Sequence, residues 1–197
     1  MSSRAKQSKK SVSPAQVRII GGQWRSRKLS FPDIEGLRPT PDRVRETLFN
    51  WIQNAVAGAN CLDLFAGSGA LGFEALSRGA KNCTFVDLAP ASCQSLRDNI
   101  TLLKTSSADV VQQDAIGWLQ QQGVTADESS KYHIVFLDPP FNKNHLQDIC
   151  KLLLDRQMLH DNALVYIESE PGVELRSSWT LHREKTTGQV QYRLYKT

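Results

Sequence analysis

The sequence predicts an α/β protein whose mainly parallel, Rossmann-like sheet ends in an antiparallel hairpin. Three observations predict it. From Asn60 onward, short β-branched or apolar runs alternate with amphipathic stretches, the signature of βα units. A glycine turn in residues 61–72, Cys-Leu-Asp-Leu-Phe-Ala-Gly-Ser-Gly-Ala-Leu-Gly, follows the first of those runs directly and opens a helix. After Pro171, two alternating segments flank Thr-Thr-Gly-Gln, a hairpin pattern.

Taken in order, residues 1–14 are Ser-, Lys- and Gln-rich and read as a disordered basic tail. Residues 15–58 form a separate N-terminal extension in this reading. Val17–Ile20, the Gly21-Gly22 pair and Lys28–Phe31 give a short hairpin-like segment. Thr40 is placed to cap a helix whose first residue is Pro41, with Val44, Leu48, Trp51, Ile52 and Ala55 on one apolar face, and Arg43 and Arg45 off it. Residues 59–197 carry the sheet. Its expected strands are Cys61–Phe65, Cys83–Asp87, Asp109–Gln112, His133–Asp138 and Ala163–Glu168, then the hairpin Trp179–Lys185 and Val190–Lys196. Helices are expected over Ala70–Arg78, stopped by Gly79, and over Pro90–Leu103, Ile116–Gln121 and Leu146–Leu154.

Composition narrows the class. At 197 residues, 40% hydrophobic and 22% charged, the chain can bury one ordinary core. Its net charge of +4 is unevenly spread: eight Lys and Arg lie in positions 1–30, ahead of the first acid, Asp33. The remaining sixteen basic residues face twenty acidic ones, so the basic excess sits at one end, where it would attract a polyanion. For residues 1–14 alone, a solubilising tail and a nucleic-acid contact both remain open. Cys61, Cys83, Cys93 and Cys150 have no metal-ligand spacing and read as buried thiols; no metal is expected. With no span-length apolar run and no secretory signal pattern, a soluble cytoplasmic protein is expected.

The glycine loop sits where nucleotide-type cofactors dock. Gly67, Gly69 and Gly72 also satisfy the dinucleotide fingerprint, and Asp87 lies 20 residues after Gly67, so spacing does not separate a nicotinamide enzyme from an S-adenosylmethionine enzyme. Charge points to the second. Asp63, Asp87, Asp114 and Asp138 fall at or near the carboxyl ends of four successive strands, where they would repel a pyrophosphate but favour a sulfonium and an ammonium group. Each aspartate taken alone is equally readable as a helix or turn cap.

Asp138-Pro139-Pro140-Phe141 ends the fourth of these strands, and its two prolines stop the sheet and stiffen the loop. An exocyclic arylamine is a poor nucleophile because its lone pair is delocalised into the ring. The Asp138 carboxylate and Pro139 carbonyl can accept the two amine hydrogens and aim a pyramidal nitrogen at a methyl group, with Phe141 stacked on the base. Transfer would be a direct in-line displacement, Asp138 taking the proton or passing it to water.

At these residues the chain resembles a known family. Asp63–Gly69 looks like the cofactor loop of class I methyltransferases, and Asp138–Phe141 like their amino-methylating Asp/Asn-Pro-Pro-aromatic motif. Residues 18–29, Arg-Ile-Ile-Gly-Gly-Gln-Trp-Arg-Ser-Arg-Lys-Leu, and 38–49, Arg-Pro-Thr-Pro-Asp-Arg-Val-Arg-Glu-Thr-Leu-Phe, resemble the bacterial 16S ribosomal RNA guanine-N2 methyltransferase family, the likeness spanning roughly residues 17–196. Pro41 departs from that pattern, standing where a polar residue is usual, and residues 1–14 lie outside it. The resemblance implies a three-layer, seven-stranded methyltransferase sheet, an S-adenosylmethionine cofactor, and a guanine N2 amine of 16S ribosomal RNA as target, within assembled small-subunit particles and handled by a monomer. It implies a cofactor site of Asp63, Phe65, Ala66, Gly67, Ser68, Gly69, Asp87, Leu88, Asp114 and Ala115, with Asp87 on the ribose and Asp114 on the adenine amine. The catalytic group is Asp138, Pro139, Pro140 and Phe141. Arg18, Trp24, Arg25, Arg27, Lys28, Arg38, Arg43 and Arg45 are the expected RNA contacts, by phosphate pairing and base stacking. A DNA adenine-N6 methyltransferase, a small-molecule methyltransferase and a non-catalytic ribosome assembly factor are the competing readings.

Overall fold

A computed structural model describes residues 15–34, 38–124, 127–140, 146–175 and 177–197. Seven strands make the main sheet: β3 (Asn60–Asp63), β4 (Asn82–Asp87), β5 (Ala108–Gln112), β6 (Tyr132–Leu137), β7 (Leu159–Ser169), β8 (Thr180–Thr187) and β9 (Val190–Lys196). Their spatial order is β5, β4, β3, β6, β7, β9, β8. The first five run parallel, while β9 lies antiparallel to β7 and β8 antiparallel to β9. The expected sheet and closing hairpin are therefore both present. Gly188, at φ 59°, makes the two-residue connection between β8 and β9. Ahead of the sheet, β1 (Ala15–Arg18) and β2 (Lys28–Phe31) pair antiparallel, with Val17 opposite Leu29.

Helices α1 (Asp42–Trp51), α2 (Ala70–Ser77), α3 (Pro90–Leu103), α4 (Ala115–Gln121) and α5 (Leu146–Asp155), with a short 3-10 turn at Glu128–Ser130, complete the described elements. Strand alternation sorts the core into two clusters, one on each sheet face, giving three layers. Cys61, Phe85, Phe136, Tyr166 and Tyr192 face the cluster that also takes Val17, Ile19, Leu29, Phe31, Val44, Leu48 and Phe49 from the N-terminal segments. Leu62, Val86, Val135, Val165 and Tyr195 face the other, with Trp118, Ile149 and Leu153 of α4 and α5. The N-terminal hairpin and α1 thus share a core with the sheet.

Three expectations need correction. Thr40 does not cap α1: Pro41 occupies the N-cap position, no side chain closes it, and the Thr40 hydroxyl donates to Glu168 at 3.0 Å. Ala55 is exposed and so leaves the apolar face drawn for it. Strand β7 begins four residues before Ala163. The polar run His160, Asp161, Asn162 interrupts the apolar pattern there, Asn162 sits at φ 62°, and the pairing with β6 shifts register.

The Gly21-Gly22 turn moors on the C-terminal end of α2. Ser77 donates its hydroxyl to the Gly21 carbonyl at 2.6 Å, and its own carbonyl accepts the Gln23 N–H at 2.7 Å. A Cβ on Gly22, which holds φ 73°, would lie 1.8 Å from the Ser77 carbonyl oxygen, so only glycine fits. Among the described residues no helix is long and apolar enough to cross a membrane.

Candidate active site

Strands β4 and β5 lie on one side of β3, and β6 and β7 on the other. The connections leaving β3 and β6 diverge, so the crevice of the sheet opens at the carboxyl ends of these two neighbours. Residues from both ends meet there.

At the β3 end, Asp63 is buried, and its Oδ2 accepts the Gly72 N–H in the first turn of α2 at 3.1 Å. Burial pushes its carboxyl up to about 7; the Gly72 bond opposes that rise, and the charges of Asp87 and Glu168 add to it. The loop beyond curls tightly. Ala66 donates its N–H to the Val86 carbonyl at 3.1 Å, Gly67 adopts φ 50°, and the Ser68 hydroxyl accepts the Ala70 N–H at 3.3 Å. Gly69, at φ 73°, starts α2, and a Cβ there would stand 2.6 Å from the side chains of Leu96 and Phe73. Gly72 packs so closely on β4 that a Cβ would meet the Phe85 ring at 2.3 Å. That close helix-to-strand approach is what the third glycine of such loops permits.

Asp87 closes the loop from the β4 end. Its Oδ2 accepts the Gly67 N–H and its Oδ1 the Ala89 N–H, each at 2.8 Å. Each carboxylate oxygen has a further lone-pair site, so the pair retains capacity for two ribose hydroxyls. Leu88, beside it, is 66% exposed. Asp114 caps α4, its Oδ2 accepting the Gly117 N–H at 2.9 Å, with Ala115 buried behind it and Phe65 half-buried. The capping role that was open for Asp114 is therefore present, and one carboxylate oxygen is left for a ligand. The donors and acceptors of this crevice fit an adenosyl group.

Asp138 follows the last residue of β6 and is half-buried; Pro139 is buried and Pro140 exposed, while Phe141 lies outside the described residues. Among the described residues no donor reaches the Asp138 carboxyl. Burial, then Glu168, then Asp63 push it well above the ordinary carboxylate range.

The basic residues divide into two groups. Arg25, Arg27, Lys28, Arg38 and Arg43 are exposed, and Arg27 reaches the Leu102 carbonyl at 3.1 Å. Arg18 is exposed and pairs with Asp42 at 3.3 Å. Trp24 is half-buried against the core, its N–H bonded to the Ser77 hydroxyl. Arg45 corrects the expectation of RNA contact. It is fully buried, with Nε on the Thr40 carbonyl at 3.1 Å and Nη2 on the Arg18 carbonyl at 2.8 Å and Asp42 Oδ1 at 2.6 Å. Its Nη1 faces buried Glu74 at 3.4 Å. No part of that guanidinium reaches a phosphate.

Residues 17–196 match the family model described as Conserved hypothetical protein 95. The chain belongs to that family. As a member of Conserved hypothetical protein 95, it is 51% identical over 183 residues to ribosomal RNA small subunit methyltransferase D of Escherichia coli (strain K12), covering 91% of this chain and 89% of that protein. The protein of the same name in Haemophilus influenzae is 48% identical over 184 residues, with 91% and 93% covered. The solved structure of yhhF from Escherichia coli superposes with a TM-score of 0.83 at 50% identity, covering 92% of this chain and 98% of that one. The Conserved hypothetical protein 95 match takes in the N-terminal hairpin and α1 as well as the sheet.

Sequence reasoning missed Glu168, Tyr166 and Thr40 as part of this crevice. Glu168 was legible as a fifth acid at a strand's carboxyl end. Its two hydroxyl partners were not, because Thr40 stands 128 residues away.

Proposed function

We propose that this chain transfers a methyl group from S-adenosylmethionine to the exocyclic N2 amine of a guanine in 16S ribosomal RNA. The observation that carries the reading is the adjacency of the glycine loop after β3 and Asp138 after β6, at the ends of neighbouring parallel strands. The relatives' name, ribosomal RNA small subunit methyltransferase D, supports the substrate class.

When bound, the cofactor supplies an electrophilic methyl on a sulfonium. The chain's residues do the rest. Asp63, Phe65, Ala66, Gly67, Ser68 and Gly69 hold the methionine end, Asp87 the ribose hydroxyls, and Leu88, Asp114 and Ala115 the adenine. The Asp138 carboxylate and Pro139 carbonyl accept the hydrogens of the target amine and turn its lone pair toward the methyl. Pro140 stiffens the loop, and Phe141 stacks on the base. As the N–H bond breaks, its proton moves to Asp138 and then to water. The protein acts in the cytoplasm as a monomer on small-subunit particles.

The test is mass-spectrometric mapping of methylated guanines in small-subunit RNA from cells with and without the protein. One N2-methylguanine is expected to vanish; an unchanged inventory overturns the reading.

RNA contact is assigned to Arg18, Trp24, Arg25, Arg27, Lys28, Arg38 and Arg43. Deleting residues 1–30 would not test it, because that cut removes Val17, Ile19 and Leu29 from the core. The triple variant Arg25→Ala, Arg27→Ala, Lys28→Ala leaves the core intact. It should weaken RNA binding and lower the slope of log affinity against log salt by about two to three, which filter binding measures. An unchanged slope counts against this surface.

A further inference from the structure

Glu168 is a buried carboxyl to which the proposed chemistry gives no task. It lies one residue before the end of β7, and its Oε1 accepts hydroxyls from Tyr166 at 2.9 Å and Thr40 at 3.0 Å. Among the described residues its Oε2 takes no donor. Strands β6 and β7 run parallel and in register through Leu137 and Ile167, so Glu168 stands beside Asp138 at the strand ends. Alternation turns both toward the sheet face that carries Phe136 and Tyr166.

Two carboxylates this close do not both ionise freely, and the partner better served by donors is the one that stays charged. Tyr166 and Thr40 both donate to Glu168 and offset part of the effect of its burial, whereas among the described residues none donates to Asp138. Among the described residues the groups facing the pair are acidic or neutral: Asp63 on β3, Asp87 beyond it on β4, Tyr166 on β7, Tyr192 on β9, and Thr40 ahead of α1. Arg45 touches this group only through the Thr40 carbonyl. The same Arg45 grips the Arg18 carbonyl at the end of β1. A continuous run of hydrogen bonds therefore joins the N-terminal hairpin to Glu168, through Arg45 and Thr40, and the charge of Glu168 bears on Asp138 beside it.

We propose that Glu168 is a positioning residue for the amine-methylating step, acting through Asp138, and that Thr40 makes its clamp part of the N-terminal segment bearing the RNA-facing arginines. The inference rests on the reading of Asp138 as the group that grips the target amine. An anionic Glu168 makes Asp138 the more basic of the two carboxyls, suited to take the proton when the amine N–H bond breaks and an O–H bond forms. A cationic donor beside Asp138 favours its ionised form again, so donor binding releases a proton.

Single-turnover methyl transfer to small-subunit RNA, followed across pH, tests this together with calorimetry of S-adenosylmethionine binding in two buffers of different ionisation enthalpy. Glu168→Gln removes the neighbouring charge. The acid limb of its rate profile should move to lower pH by about one pH unit, its plateau should fall roughly tenfold, and its proton release should drop, with RNA affinity kept. Thr40→Val and Tyr166→Phe let Glu168 hold the proton more readily, and should move the limb the same way by less. Thr40→Val keeps the side chain's shape, so it remains informative if Glu168→Gln folds poorly. A variant that only loosens the fold lowers the plateau and leaves the limb in place. Wild-type limb and proton count in Glu168→Gln or, should it not fold, in Thr40→Val overturn the inference while a dead Asp138→Ala sustains the proposed function. Full activity in Asp138→Ala overturns both.

Discussion

Replacing Asp138 by alanine is expected to lower the methyl-transfer rate by roughly a thousandfold, the range associated with losing a positioned proton acceptor and its orienting hydrogen bond. RNA affinity should be nearly unchanged, since the exposed arginines lie on other elements. The variant should also fold at least as well as the parent. Burial and the charges of Glu168 and Asp63 disfavour the ionised form of this carboxyl, and among the described residues it takes no donor, so its removal strips away no stabilising bond. Inactivity without instability separates a functional acid from a structural one. Rate measurement, RNA binding and thermal unfolding on one preparation decide the matter. Turnover within a few-fold of wild type would remove Asp138 from the reaction.

The largest stability effect is expected at Arg45. Arg45→Met keeps much of the volume but strips donors from the Thr40 and Arg18 carbonyls and leaves Glu74, whose side chain is fully buried, without one of its two cations. Breaking a buried pair from one side costs about 3–5 kcal/mol, because an uncompensated charge stays behind. For a chain of this size that corresponds to a fall in Tm of roughly 10 °C, measurable by calorimetry. Adding Glu74→Gln should return part of the loss. The Gln retains an oxygen for the Ile20 N–H, which Glu74 accepts at 2.8 Å, while the stranded charge is gone. A Tm near that of wild type would contradict this account. Lost RNA methylation in an Arg45 variant would then reflect loosening of the hairpin and α1 from the core, with no phosphate contact involved.

Arg45 also marks where reading the sequence stopped working. The helical wheel of α1 puts Val44, Leu48 and Ile52 inward and leaves Arg45 outside, which holds for a helix covered on one side. Here β1 folds over the other side, and Arg45 is enclosed between Arg18, Thr40 and Glu74. No local pattern encodes that cover. Thr40 failed for the same reason: a Thr ahead of a Pro-led helix is a sound cap candidate, but a buried carboxylate at the end of β7 offered its hydroxyl a stronger partner. The parallel strands and α3 were legible because their apolar periods and punctuation are local. Pro90 opens α3, Gly79 follows α2, and the glycine loop and Asp138-Pro139-Pro140 interrupt their strands sharply. Asp63, Asp87 and the glycine loop were legible as a set, since strand ends in a parallel sheet converge on one edge. Glu168 obeys that rule too, at the carboxyl end of β7.

Helix α2 gives the arrangement a fixed yardstick. Its first residue follows Gly69 of the glycine loop, and its last, Ser77, anchors the Gly21-Gly22 turn that leads into Trp24 and Arg25. Eight residues at the helical rise span about 12 Å, and no hinge interrupts them. The reach from the glycine loop, the proposed seat of the methyl donor, to the basic turn is therefore metered by one rigid rod. An inserted residue would lengthen that rod by about 1.5 Å and swing its far end through more than a quarter turn, leaving either the loop or the turn facing the wrong way.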